Sequence, residues 1–206
     1  MGNRRQFDEA EVLTLMTEHF WRHGYAGTKV DQLSELTGLT KTSIYNAFGN
    51  KEALFLRVVD FYVEQQFGPA LQVLDARKSL HINLKNFFSH FFSKTKNENV
   101  DCGCLVTNSI LEFSDNEPNL HEAVRARYTQ TRLAMHGFFS QYSKTKRLAS
   151  GVSVDEFTNF FMTFFQGLRV QSRGNGLKKD MDSSIRTFLT YVKSVEQSSP
   201  AGIASN

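Results

Sequence analysis

The stretch TKVDQLSELTGLTKTSIYNAFGNKEAL, residues 28–54, decides the fold. Val30, Leu33 and Leu36 recur at the spacing of one helix face, and Ile44, Tyr45 and Phe48 form a second, shorter pattern. Gly38 between them suits a left-handed residue that turns the chain sharply after the first helix, and Gly49 closes the second. Thr40 is a good N-cap, because its hydroxyl can accept one of the amide protons left unpaired in a first helical turn. Two short helices joined by a tight turn make a helix-turn-helix.

The second helix, residues 40–48, has an outer face of unusual composition. Ile44 and Phe48, four apart, point inward and leave Lys41, Thr42, Ser43, Tyr45 and Asn46 on or near the outside. Between Glu35 and Glu52 no acidic residue occurs. A carboxylate there would repel a phosphate backbone, whereas hydroxyls, an amide, a phenol and one lysine suit backbone and base-edge contacts in a major groove. The plainer alternative is a pair of surface helices with an uncharged face.

The run GLTKTSIYNAFGNKEAL resembles the signature of the TetR family of transcriptional regulators. Matching positions are Gly38, Thr40, Lys41, Ile44, Tyr45, Phe48, Lys51, Glu52 and Leu54, with Phe20, Gly24, Tyr25 and Thr28 upstream in the same order. Thr42 stands where a small residue is usual, Asn46 where His is frequent and Gly49 where Pro is frequent. Thr42 and Asn46 lie on the reading face, so these departures bear on the operator sequence and not on the fold. The resemblance implies an all-α protein: a three-helix helix-turn-helix DNA-binding head over residues 1–50 and a six-helix ligand-binding and dimerisation body over 51–197, while the Ser, Ala and Gly content of residues 198–206 predicts a disordered tail. The expected DNA-contacting set is Thr28, Lys29, Thr40, Lys41, Thr42, Ser43, Tyr45, Asn46 and Lys51, with Thr28 also expected as the N-cap of the helix that precedes the turn.

Bulk properties narrow the reading further. The chain has 206 residues and a net charge of +3, with no run of about 20 apolar residues and no secretory signal at its start, so no membrane partner and a cytoplasmic location are expected. Residues 1–60 are not basic overall, since Asp8, Glu9, Glu11, Glu18, Asp31, Glu35, Glu52 and Asp60 offset the cations. Charge placement therefore carries the case for DNA. The only cysteines, Cys102 and Cys104, are too close to close a useful disulfide loop, and a lone C-x-C is a poor zinc site without converging histidines. No metal and no cofactor are expected. Reduced thiols fit a cytosolic protein.

Along the chain, a first helix runs from about Phe7 to His23, and a long fourth helix is capped by Asn50 and reaches Phe67, where Gly68 and Pro69 kink or break it before the pattern resumes to Leu74. A Phe-dense helix follows from Leu80 to about Lys96. Another runs from Asp101 to Phe113, one from Leu120 to Tyr142, an aromatic one through Phe157, Phe160, Phe161, Phe164 and Phe165, and a last one through Met181 to Val195. No strand is expected.

The last two helices carry wide apolar faces that either pack within one subunit or meet a twofold copy as a four-helix bundle. The family resemblance favours a homodimer, with Phe164, Ile185, Phe188, Leu189 and Val192 as its residues. It also implies a pocket between the body helices for a small-molecule effector, whose wall is drawn from Phe88, Phe91, Phe92, Phe161 and Phe165, unless these are core. The segment CGCLVTNSILEFSD resembles the Gly-Cys-Leu motif of one branch of these regulators, in which the Cys104 position responds to electrophiles. Asp101 as N-cap would place both thiols in a first helical turn, where the dipole favours thiolate and the carboxylate opposes it. Cys104 is then a sensor or a small buried packing residue.

The function expected is a homodimeric repressor released from a palindromic double-stranded DNA operator by a small apolar or electrophilic effector. Alternatives are a redox or electrophile sensor acting mainly through Cys104, and a helical interaction module without DNA binding. A cysteine enzyme is disfavoured, because no nucleophile constellation or phosphate loop accompanies the thiols.

Overall fold

The structure, a computed structural model, describes residues 7–92, 102–113, 117–144, 147–148, 152–173 and 178–197. Among these residues the helices are α1 (Glu9–His23), α2 (Val30–Thr37), α3 (Lys41–Phe48), α4 (Lys51–Gln72), α5 (Leu80–Phe92), α6 (Leu105–Phe113), α7 (Pro118–Ser143), α8 (Val154–Arg173) and α9 (Lys178–Val195). The all-α class and the division into three head helices and six body helices are as the sequence implies. One small addition is an antiparallel pair of two-residue strands, β1 (Arg147–Leu148) and β2 (Glu196–Gln197), with Arg147 opposite Gln197. Two-residue strands are too short to show a period of two, which hides them in the sequence. The Asp101 cap, the extension of α5 to Lys96 and the tail from Ser198 fall outside the described residues.

Local chemistry explains most helix ends. Asp8 caps α1 by accepting from the amides of Ala10 and Glu11, so the helix begins at Glu9 and not at Phe7. Gly38, at φ +70° and ψ +4°, supplies the left-handed turn between α2 and α3. Thr40 accepts from Ser43 N–H at 3.1 Å, and Asn50 accepts from Ala53 N–H at 2.9 Å at the start of α4. Pro69 removes one amide from the ladder of α4, yet the helix continues through it to Gln72. Pro118 is the first residue of α7, where a missing N–H costs nothing.

By compactness the chain forms two units, and it passes between them within α4, between α5 and α6, and within α7. One unit comprises Met1–Gln66 and Cys102–Thr129. It therefore holds the head, the first part of α4, α6 and the first part of α7, and the boundary drawn at residue 50 lies inside it. Its core includes Leu13, Met16, Phe20, Leu33, Ile44, Phe55, Val58 and Val59, all fully buried. Phe20 meets Phe55 edge-on at 5.1 Å and Trp21 meets Tyr62 at 4.9 Å, which seats α1 on α4. Arg127 on α7 grips Asp60 on α4 with two bonds of 2.7 and 2.9 Å.

The other unit comprises Phe67–Asp101 and Gln130–Asn206. Its centre is aromatic: Phe87 lies 5.1–5.4 Å from Phe91, Phe161 and Phe165, and Phe67 meets Phe91 and Phe165 at 5.2 and 5.7 Å. Glu196, at the end of the chain described, reaches the start of α5, accepting from Leu80 N–H at 2.8 Å and from the Tyr142 hydroxyl at 2.5 Å. A carboxylate at a helix N-terminus satisfies unpaired amides and meets the positive end of the dipole.

Candidate nucleic-acid interface

Helix α3 is held by Ile44, fully buried, and Phe48, nearly so, while Lys41, Thr42, Tyr45 and Asn46 are exposed and Ser43 is half-buried. Four-residue spacing of the two anchors turns the polar residues outward together. Thr40 is exposed, and its hydroxyl is engaged with Ser43 both through the cap and side chain to side chain at 2.9 Å. Six expected contact residues thus share one accessible surface. Lys29 is exposed too, and its backbone N–H donates to Gln32 Oε1 at 2.7 Å at the start of α2.

The face is less free of acid than chain order suggests. Asp31, one helix earlier, forms an ion pair with the Lys41 ammonium, and that hydrogen bond raises the lysine's pKa. Both side chains are more than half exposed, so solvent and salt screen the pair.

Two of the expected contact residues are engaged within the head. Thr28 is fully buried, with its hydroxyl donating to Gly24 O at 2.7 Å, so its side chain presents nothing to DNA. It is not the N-cap of α2 either, a position held by Lys29. Lys51 is half-buried and turned into the head. Its Nζ donates to Tyr25 O at 2.8 Å and sits 4.2 Å from the centre of the Tyr25 ring. Burial lowers its pKa, with the Glu112 and Glu117 carboxylates opposing that shift. Lys51 thus holds the turn at Tyr25.

Sequence reasoning missed Glu112. This α6 carboxylate accepts from Tyr25 N–H at 3.0 Å and Ala26 N–H at 2.7 Å, in the turn between α1 and α2. A separation of 87 positions leaves no local pattern to signal the pairing.

Cys104 belongs to the head-containing unit and is 2% exposed, whereas Phe88, Phe91, Phe92, Phe161 and Phe165 belong to the other. Cys104 immediately precedes α6 and its carbonyl accepts from Asn108 N–H at 2.8 Å, with Gly103 at φ +75° beside it, so it stands at the cap of the helix and not within its first turn, and Cys102 lies two residues further out. The five phenylalanines pack on one another with ring centres 4.9–6.5 Å apart and are at most 7% exposed. Phe88 and Phe92 also reach the floor of an open groove with Lys85, Ile185 and Arg186. Among the described residues no three His, Cys, Asp or Glu side chains gather as a metal site would require.

On α8 and α9, Phe188 stacks on Phe164 at 4.4 Å and on Phe160 at 5.5 Å, and Phe160 meets Tyr191 edge-on at 5.4 Å. Phe160 is 46% and Tyr191 41% exposed, and with Phe164, Phe188 and Thr187 they line a groove of about 360 Å³. Val192 is fully buried within its own protomer and leaves the expected dimer set. Phe188 and Leu189 are largely covered, and Phe164 and Ile185 are half-buried. Phe160 and Tyr191, absent from that set, present the more exposed apolar surface.

Comparison with known proteins agrees with this architecture. A model described as "Bacterial regulatory proteins, tetR family" matches residues 16–58, and one described as "Tetracyclin repressor-like, C-terminal domain" matches residues 82–188. The HTH-type transcriptional repressor ComR of Escherichia coli strain K12 is 25% identical over 197 residues, covering 95% of this chain and 94% of its own. The uncharacterized HTH-type transcriptional regulator YezE of Bacillus subtilis strain 168 is 29% identical over 120 residues, 58% of this chain and 62% of its own. Among solved structures, a cysteine mutant of the TetR family regulator CifR, complexed with 26 bp double-strand operator DNA, superposes with a TM-score of 0.76 at 23% identity, covering 91% of this chain and 98% of that one. A TetR regulator from Chloroflexus aurantiacus J-10-FL has the same TM-score and identity, with 92% and 96% covered. The head model falls on the helices that present the polar α3 face, and the body model covers more than half the chain, so the protein belongs to the TetR family of DNA-binding transcriptional regulators and is not an enzyme.

Proposed function

We propose that the chain is a homodimeric cytoplasmic repressor that sets α3 of each protomer into the major groove of a palindromic operator and is released by a small effector. The observation that carries this reading is the exposed face of Lys41, Thr42, Tyr45 and Asn46, anchored from behind by Ile44 and Phe48. In direct readout Asn46 and Thr42 supply groups for base edges, and Lys41, Tyr45 and Lys29 supply groups for phosphates. One short helix offers too few contacts for useful specificity, which is the physical reason for a dimer on a two-half-site operator. The known relatives include repressors, and CifR was solved on operator DNA.

Release needs no chemistry. An effector that binds better to a form with the heads mis-spaced lowers DNA affinity by the same coupling free energy. The aromatic body favours an apolar effector, and with the phenylalanines packed on one another, entry requires them to part. Enrichment of duplexes from a random 26-bp library on the purified protein, followed by gel shift, tests the reading. A palindromic consensus bound by two protomers is expected, and failure to enrich any sequence overturns it.

A further inference from the structure

Tyr25 sits where α1 gives way to α2, and every polar group of its backbone is taken. Its N–H donates to Glu112 at 3.0 Å, its carbonyl accepts from Lys51 Nζ at 2.8 Å and from Thr28 N–H at 3.2 Å, and the next amide, Ala26 N–H, donates to the other Glu112 oxygen at 2.7 Å. Its ring lies edge-on to Phe55 at 5.1 Å and to Phe113, the neighbour of Glu112, at 5.4 Å. Gly24, at φ +73°, leaves room for the carboxylate, since a Cβ there would come within 2.8 Å of Glu112 Oε2. A side chain from α6 and another from α4 thus hold opposite sides of one turn.

We propose that Glu112 is a positioning residue for DNA binding: its carboxylate, by gripping the amides of Tyr25 and Ala26, fixes the turn from which α2 and then α3 depart. The proposal rests on the DNA-binding reading above. Bonds from a charged acceptor are short and directional, so moving α6 by about 1 Å relative to the turn takes both beyond good geometry. The position of α6 is thereby coupled to the setting of the recognition helix. Lys51 cannot replace this hold, because a lysine has no acceptor for the two amides.

The test compares wild type, Glu112→Gln and Glu112→Ala on the duplex enriched by wild type, together with amide exchange. Glu112→Ala should bind about 10-fold or more weakly, the equivalent of one lost charge-assisted hydrogen bond. Its salt slope should be unchanged, because no phosphate contact is removed. The Tyr25 and Ala26 amides should exchange faster while the interiors of α1 and α4 keep their protection. Glu112→Gln retains one carbonyl acceptor and should fall between. Wild-type affinity in Glu112→Ala overturns the proposal, and so does a loss of protection spread through α1 and α4, which would make Glu112 a general fold residue. A wild-type protein that enriches no duplex removes the functional reading itself, an outcome visible before any variant is compared.

Discussion

In the proposed interface Lys41 exchanges Asp31 for a phosphate, and that competition sets an expected result. Removing the acid while keeping its shape, as in Asp31→Asn, should tighten binding to duplexes of any sequence a few-fold and leave the ratio of specific to non-specific affinity unchanged. Lys41→Ala should weaken all sequences alike and flatten the dependence of log affinity on log salt by about one ion. Filter binding from 50 to 200 mM salt reads both, and equal slopes for wild type and Lys41→Ala would remove Lys41 from the interface. Thr28 and Lys51 show how little residue type says about role: a threonine and a lysine in a DNA-binding signature are here spent on the turn behind the reading face.

Among the elements, the Phe-rich α5 is held by rings on α4 and α8. Phe87 is fully buried and meets Phe67, Phe88, Phe91, Phe161 and Phe165, so Phe87→Ala leaves a cavity with many lost contacts. A cost of about 3–5 kcal/mol is expected in urea unfolding. Histidines on two helices add a pH dependence. Burial lowers the pKa of His19 on α1, with His23 adding to it, and of His81 on α5, with Lys193 and Lys85 adding, both from 6.5. The unfolded chain therefore takes up these protons first as pH falls. Stability from this source is fully present above pH 6.5 and is lost as pH drops through the lower folded values. Unfolding free energies at pH 7.5 and 5.5 should differ in that direction, and the difference should shrink in the His19→Asn, His81→Asn double variant.

For the whole molecule, the expected assembly concerns the α8 and α9 surface. Phe160 and Tyr191 are exposed beside the stacked Phe164 and Phe188, an aromatic patch that association would take out of water. Phe160→Glu and Tyr191→Glu should sediment as monomers at micromolar concentration with unchanged helicity. Phe188→Glu is a poorer probe, because a residue 4% exposed within its own protomer carries fold as well as contact. A wild-type monomer at that concentration would sink the dimer.

Much of this architecture is legible in the amino-acid sequence alone. Gly38 marks a helix end by its left-handed backbone, Thr40 and Asn50 mark helix starts through bonds spanning three residues, and Ile44 with Phe48 orients α3 by helical periodicity alone. Those are local constraints, which is why the head and its polar face could be read directly from residues 28–54. Burial and partnership depend on segments far apart in the chain. Nothing near Thr28 announces that it is enclosed, nothing near Lys51 names Tyr25, and Glu112 finds its amides 87 positions away. The same holds for Val192, whose place in an apolar stripe says it is covered but not by which copy of the chain, and for Cys104, which lies in a different compact unit from the phenylalanines once grouped with it. Helix type and the composition of each face followed from the order of the residues, because hydrogen bonds and caps act between near neighbours. Which of those faces are free and which charges are already spent was decided only by packing, because that depends on what the rest of the chain brings alongside.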